Sequence, residues 1–128
     1  MSHLYQRQVQ FADTDAAGVV HFSRLLCFVE EAEHNLLSSL EIPIAEDGGW
    51  PRVHISCDYL KPLRFPGSAQ IMIQPVKLGE SSINWSFEVE SNNVSVARGE
   101  MTTVCVDDQG KKVMIPQHRL EKLEAYLK

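Results

Sequence analysis

The chain has 128 residues, 44% hydrophobic and 23% charged, with a formal net charge of -5, a balance expected of one globular domain over residues 1-128. The acidic balance excludes a general nucleic-acid-binding role, which needs a basic surface. No apolar run approaches the roughly 18 residues that a membrane-spanning helix needs.

Cys27, Cys57 and Cys105 are widely spaced and odd in number. This pattern indicates neither a zinc site nor a disulfide framework, and the three are expected as buried free thiols. Met1-Ser2-His3-Leu4-Tyr5 lacks the basic stretch and apolar core of a secretory leader, so the expected compartment is the cytoplasm.

Leu4 to Phe11 alternates polar and apolar residues and is expected as a first strand. A loop of small residues, Ala12 to Gly18, follows. From Phe22 the pattern turns helical: Phe22, Leu25, Leu26, Val29, Ala32, Leu36, Leu37 and Leu40 recur at three- and four-residue spacings, with Glu30, Glu31, Glu33 and His34 among the polar fill. Phe28 widens the apolar face, so the helix should be covered on more than one side. Pro43 is expected to end it. A loop marked by Gly48 and Gly49 leads to a strand in which Val53, Ile55, Cys57 and Tyr59 point one way and His54, Ser56 and Asp58 the other. Ala69 to Leu78 is a third strand, where Pro75 predicts a bulge or an edge. Ile83 to Val89 alternates as a fourth, and Val94 to Val106 is a fifth. Pro116 is suited to the first position of a short last helix through Leu120, Leu123 and Tyr126. One long helix with successive antiparallel strands predicts an α+β domain, in which a curved sheet wraps the central helix.

The chemistry concentrates in Phe11-Ala12-Asp13-Thr14-Asp15-Ala16-Ala17-Gly18-Val19-Val20-His21-Phe22. Two carboxylates sit in a turn just before the long helix. The positive end of a helix is ordinarily filled by a capping side chain. If a substrate carbonyl occupies it instead, a nearby carboxylate can attack that carbon or activate a water to do so. The pattern points to acyl transfer to water. The bland alternative is that Asp15 is a turn residue or cap, and Asp13 is expected to bond backbone N–H groups of the loop.

This loop, the helix after it and Val53-His54-Ile55-Ser56-Cys57-Asp58-Tyr59-Leu60-Lys61-Pro62 resemble the 4-hydroxybenzoyl-CoA thioesterase family of the hotdog fold. The second segment and Tyr5-Gln6-Arg7-Gln8-Val9 are also similar to the 1,4-dihydroxy-2-naphthoyl-CoA thioesterases. The resemblance implies hydrolysis of an acyl-CoA or aroyl-CoA thioester without a metal or separate cofactor, coenzyme A being part of the substrate. It makes Asp15 the catalytic carboxylate, as nucleophile or general base, and places the carbonyl-polarising backbone N–H at Phe22, with Gly18 in the approaching loop. Pocket candidates are His21, His54, Trp50 and Tyr59. Lys61, Arg64, Lys77 and Arg98 are candidates for the CoA phosphates, because the turn that is basic in the 4-hydroxybenzoyl enzyme reads Gly79-Glu80-Ser81-Ser82 here. An acyl carrier protein is an alternative thiol carrier, and Glu30 the alternative carboxylate. The family also implies a homodimer or homotetramer with sites between subunits. Rival functions are a hotdog hydratase or dehydratase on acyl thioesters and a non-catalytic acyl-CoA binding module.

Overall fold

A computed structural model describes residues 1–45 and 48–128. The chain runs β1 (His3–Gln8), a single 3₁₀ turn (Phe11–Asp13), α1 (Phe22–Ser39), β2 (Arg52–Tyr59), β3 (Ser68–Leu78), β4 (Ser82–Ser91), β5 (Val94–Val104) and α2 (Gln117–Glu124). The strands form one antiparallel sheet in the order β1-β3-β4-β5-β2. Consecutive strands β3, β4 and β5 are joined by tight turns. The long α1 connection carries the chain from one edge strand to the other.

Alternation decides the core. Ile71, Ile73, Ile83, Trp85, Phe87, Val89, Ala97 and Met101 are buried against α1, which contributes Leu25, Phe28, Val29, Ala32, Leu36 and Leu37. In this layer the buried Trp85 indole donates to Thr103 Oγ1 at 2.9 Å. Both edge strands bond to the same helix. From β1, His3 contacts Asn35 at 2.7 Å and Tyr5 donates to Glu31 at 3.0 Å. From β2, Arg52 donates to Glu30 at 2.8 Å and Tyr59 to the Phe22 carbonyl at 3.0 Å. The sheet is therefore curled about α1, as its sequence pattern predicts.

Several boundaries differ from expectation. β1 stops at Gln8, because Val9 N–H turns to the Gly67 carbonyl at 2.9 Å and the Gln10 N–H to the Asp13 carboxylate at 2.7 Å. α1 ends at Ser39, well before Pro43. Glu41 takes a left-handed φ of 57°, Ile42 N–H reaches Leu37 O at 2.9 Å, and Glu41 N–H reaches Ser38 O at 3.0 Å. This is a Schellman closure, with the buried Ile42 as its apolar seal. Lys122 Nζ adds a bond to Leu40 O at 2.9 Å. Pro75 sits at a bulge in the β3–β4 register, beyond the last β1 partner of β3, Ile73, so its missing N–H leaves no ladder bond unmade. β5 ends at Val104, since Cys105 N–H bonds Ser81 O at 2.7 Å. Pro116 caps α2 from outside instead of opening it. Of the cysteines only Cys105 is fully buried, while Cys27 and Cys57 are half-buried. In the loop before β2, Glu46 and Asp47 lie outside the described residues. Gly48 there has φ 130° and lies so close to the Val106 carbonyl that a Cβ would collide with it.

Candidate active site

The loop between β1 and α1 is built on Asp13, which is only 1% exposed. Its carboxylate accepts from Gln10 N at 2.7 Å, from Arg7 at 3.0 and 3.3 Å, and from Arg24 at 2.8 and 3.2 Å. Its carbonyl accepts the His21 N–H at 2.9 Å. Burial by itself would raise the Asp13 carboxyl, but the bonds from Gln10, Arg24 and Arg7 outweigh it and hold the group below the usual carboxylate range. Arg7 is itself held, over the Phe28 ring at 4.4 Å and against Glu31 at 2.9 Å. The expected backbone bond from Asp13 is present. The two arginines were missed, although Arg7 shares the inward parity of Tyr5 on β1 and Arg24 falls within the first turn of α1. These bonds tie β1, the loop and the start of α1 into one unit.

On that base the chain makes a short reversal. Thr14 pairs with Val20, Asp15 N–H bonds Val19 O at 2.8 Å, and Gly18 N–H bonds Asp15 O at 3.0 Å. Gly18 has φ 76° and supplies the left-handed residue that the turn needs. Its N–H is used inside the loop, which removes Gly18 from the carbonyl-polarising donors. Asp15 is exposed. Its Oδ1 accepts from Ala17 N at 2.8 Å and Val19 N at 3.3 Å, an Asx-type turn, and no bond to Oδ2 is made among the described residues. One oxygen fixes the side chain while the other stays available.

His21 caps α1. Its Nδ1 accepts from Ser23 N at 3.2 Å and lies 2.7 Å from Ser23 Oγ, and the ring leans on Phe22 at 4.5 Å between centroids. The helix start thus has a side-chain cap, contrary to the vacancy inferred from the sequence. That cap is partial. Ser23 N–H uses His21 Nδ1, and the Arg24 and Leu25 N–H groups use His21 O at 2.9 and 3.1 Å. Among the described residues the Phe22 N–H makes no bond, and it remains at the positive end of an 18-residue helix.

Beside it lies a groove of about 330 Å³ lined by Val20, Phe22, Leu25, Tyr59, Pro62 and Leu63, with Val19, Leu60 and Lys61 at its margins. Tyr59 reaches it from the end of β2, anchored by its hydroxyl on the Phe22 carbonyl. Burial and the neighbouring Cys57 push the Tyr59 hydroxyl up to about 12, so it remains a neutral donor. Burial likewise raises the Cys57 thiol, which keeps it un-ionised and a poor nucleophile.

Two pocket candidates fall elsewhere in the chain. Trp50 is a core residue whose indole donates to Pro43 O at 3.3 Å. His54 pairs with Thr102 on the face of the sheet turned away from α1, the face it shares with Ser56 and Asp58 by strand alternation. The phosphate candidates also separate. Lys61 and Arg64 lie beside the groove, and Arg64 Nη1 bonds Ala17 O at 3.4 Å. Lys77 is at the far end of β3, and Arg98 stands on the outer face between Asp58 and Glu88.

A further titratable cluster involves two glutamates of the polar fill of α1, Glu30 and Glu33, with Arg52. Glu33 is 0% exposed, in the α1 stripe between Val29 and Leu37, and is paired with Arg52, which also bonds Glu30. Burial pushes Glu33 up to about 7 against the pull of Arg52. The signal was its four-residue spacing from both apolar neighbours. Glu30, the alternative carboxylate, is occupied by Arg52. Among the described residues no three His, Cys, Asp or Glu side chains converge as a metal site, and no helix is long and apolar enough to cross a membrane.

The model of the thioesterase-like superfamily matches residues 9–123. A 1,4-dihydroxy-2-naphthoyl-CoA hydrolase from Nostoc punctiforme is 33% identical over 97% of this chain and 88% of its own, and one from Synechococcus elongatus is 31% identical over 84% of each. The solved structure of a 1,4-dihydroxy-2-naphthoyl-CoA thioesterase from Synechocystis aligns with a TM-score of 0.86 at 27% identity, covering 96% of both chains. The chain belongs to the thioesterase-like superfamily, with the hotdog fold, and is by class a thioester hydrolase.

Proposed function

We propose that this protein hydrolyses a CoA thioester of an aromatic acid, 1,4-dihydroxy-2-naphthoyl-CoA or 4-hydroxybenzoyl-CoA ahead of a long fatty acyl chain, to the free acid and CoA. The observation that carries this is an Asp15 oxygen without a bond among the described residues, in the reversal that leads through Val19 and Val20 to the unbonded Phe22 N–H, where those three residues line an apolar groove. The groove is at the small end of the ~300–1,000 Å³ range of ligand sites, which favours a compact ring. The identities of the aligned relatives support the acyl group.

In this mechanism the thioester oxygen accepts from the Phe22 N–H, as in other oxyanion sites, where one donor contributes roughly 3 kcal/mol. Asp15 Oδ2 then acts at the carbonyl carbon in one of two ways. As nucleophile it forms a mixed anhydride and expels the CoA thiolate, and water hydrolyses the anhydride. As general base it takes a proton from a water that attacks directly. His21 holds the helix start, and Asp13 holds the loop. Coenzyme A enters as substrate, and no further cofactor is proposed.

We also propose that two copies pair through β2. It is an edge strand with Val53 63% and Ile55 37% exposed, an unprotected apolar edge of the kind that proteins ordinarily cover. Such pairing would bring a second copy against the open side of Tyr59. The three free cysteines support action in the reducing cytoplasm.

The test is a panel of aroyl- and acyl-CoA thioesters with free thiol measured, comparing wild type with Asp15→Asn. The expected result is thiol release from aroyl-CoA by wild type and a loss of at least a hundredfold in the variant. Equal turnover by both would remove Asp15 from the mechanism.

A further inference from the structure

We infer that the anionic arm of the substrate is held by Lys61 and Arg64, on the segment that borders the acyl groove. This inference rests on the thioesterase reading and names where its carrier binds. A second hollow, of about 360 Å³, opens between the β2–β3 connection and the β4–β5 turn, with Arg64, Phe65, Asn92 and Val96 among its walls. It shares Lys61, Pro62 and Leu63 with the acyl groove. The two hollows therefore flank the Lys61–Leu63 segment, with the helix start at Phe22 on one side and the Asn92 turn on the other.

The charge around these two hollows is unlike the balance of the whole chain. The chain carries a net charge of -5, yet among the described residues no Asp or Glu lines either hollow, while Lys61 and Arg64 do. Neither cation has a salt-bridge partner among the described residues. Arg64 Nη1 donates to Ala17 O at 3.4 Å, which ties its guanidinium to the Asp15 loop. A larger hollow, about 480 Å³ on the outer face of the sheet, has the opposite character. Asp58, Glu88 and Glu100 outnumber Arg98 and Lys128 there, and an anion would be repelled. Of the basic groups singled out in the sequence, only Lys61 and Arg64 combine proximity to the reacting end with freedom from acids. A thiol carrier whose far end bears phosphates suits this charge pattern, with the thioester at the Phe22 N–H and the phosphates over Lys61 and Arg64. An acidic carrier protein would need its phosphopantetheine arm alone to make these contacts.

The experiment uses one aroyl group on two thiols: CoA, and N-acetylcysteamine, which keeps the thioester but lacks every phosphate. Wild type should prefer the CoA thioester in kcat/KM. In Lys61→Gln/Arg64→Gln that preference should fall about tenfold, through KM, the sum of two solvent-screened contacts. Lys61→Gln alone changes one exposed side chain and should lower it about threefold, which keeps the test open if the double variant folds poorly. A preference unchanged in both variants, or absent from wild type, overturns the inference while leaving the hydrolase reading intact. Inertness of wild type toward both thioesters overturns the hydrolase reading and this inference with it.

Discussion

Replacing Asp13 by alanine should both destabilise the protein and disable it. The carboxylate is buried and receives five hydrogen bonds, four of them from the two arginines. Removing one side of a buried ion pair costs about 3–5 kcal/mol, because the partner's charge is left uncompensated. Here the lower end applies. Arg7 keeps Glu31 and the Phe28 ring, and Arg24 is exposed enough to turn to water. A loss of about 3 kcal/mol is within the 5–15 kcal/mol stability of a typical domain, so the variant should fold, with its melting temperature lowered by roughly 10 °C. The Gln10 N–H and the two arginines lose their shared partner with the carboxylate, so the ties between β1, the loop and the start of α1 loosen and the Phe22 N–H and the Asp15 loop shift relative to each other. A misplacement of about 1 Å in a reacting pair lowers kcat about a hundredfold. The assay is denaturant unfolding of wild type and Asp13→Ala from pH 3 to pH 8, with kcat on an aroyl-CoA. The folded Asp13 pKa lies below its unfolded value, so its stabilisation is present above about pH 4 and is lost as pH falls through the folded pKa. The two proteins should therefore converge in stability at the acid end. A difference below 1 kcal/mol at pH 7, or one that does not shrink toward pH 3, would refute the reasoning.

Glu33→Gln should flatten part of the pH dependence of stability. Glu33 ionises in the unfolded chain near its ordinary value of 4.5 and in the folded protein at about 7, so wild type should lose up to about 3 kcal/mol relative to the variant as pH rises through that window. Unfolding free energies at pH 4.5 and 7.5 measure it, and equal changes in the two proteins would contradict the assignment. Tyr59→Phe removes the anchor on the Phe22 carbonyl and should cost about 1 kcal/mol, with kcat lowered several-fold; thermal melts and steady-state kinetics check both. Ile55→Lys places a charge on the open β2 edge and should convert a dimer to a monomer by light scattering; an unchanged mass would move the pairing surface elsewhere.

Much of this molecule was legible in its sequence. The period-two strands from Ala69 onward and the three-and-four spacing from Phe22 specify element type directly, because each pattern buries one face only in its own geometry. The D-x-D-x-x-G loop and its place before the helix were equally plain, since Gly18 and the Asx-forming Asp15 act through bonds to residues two to four away. What only tertiary structure decided depends on partners far apart in the chain. Pairing Asp13 with Arg7 and Arg24, Glu33 with Arg52, and Tyr59 with the Phe22 carbonyl requires the sheet to curl until both edges meet α1. The bulge between Arg52 and His54 sets Arg52 opposite the buried Thr103, on the side where it reaches Glu33. The helix stop at Ser39 turns on a closing geometry that Glu41 adopts without being glycine. Local periodicity sets what each segment can bury, whereas the burial of a charge is tolerable only where the fold delivers its counter-charge, and that delivery is a property of the assembled sheet and helix.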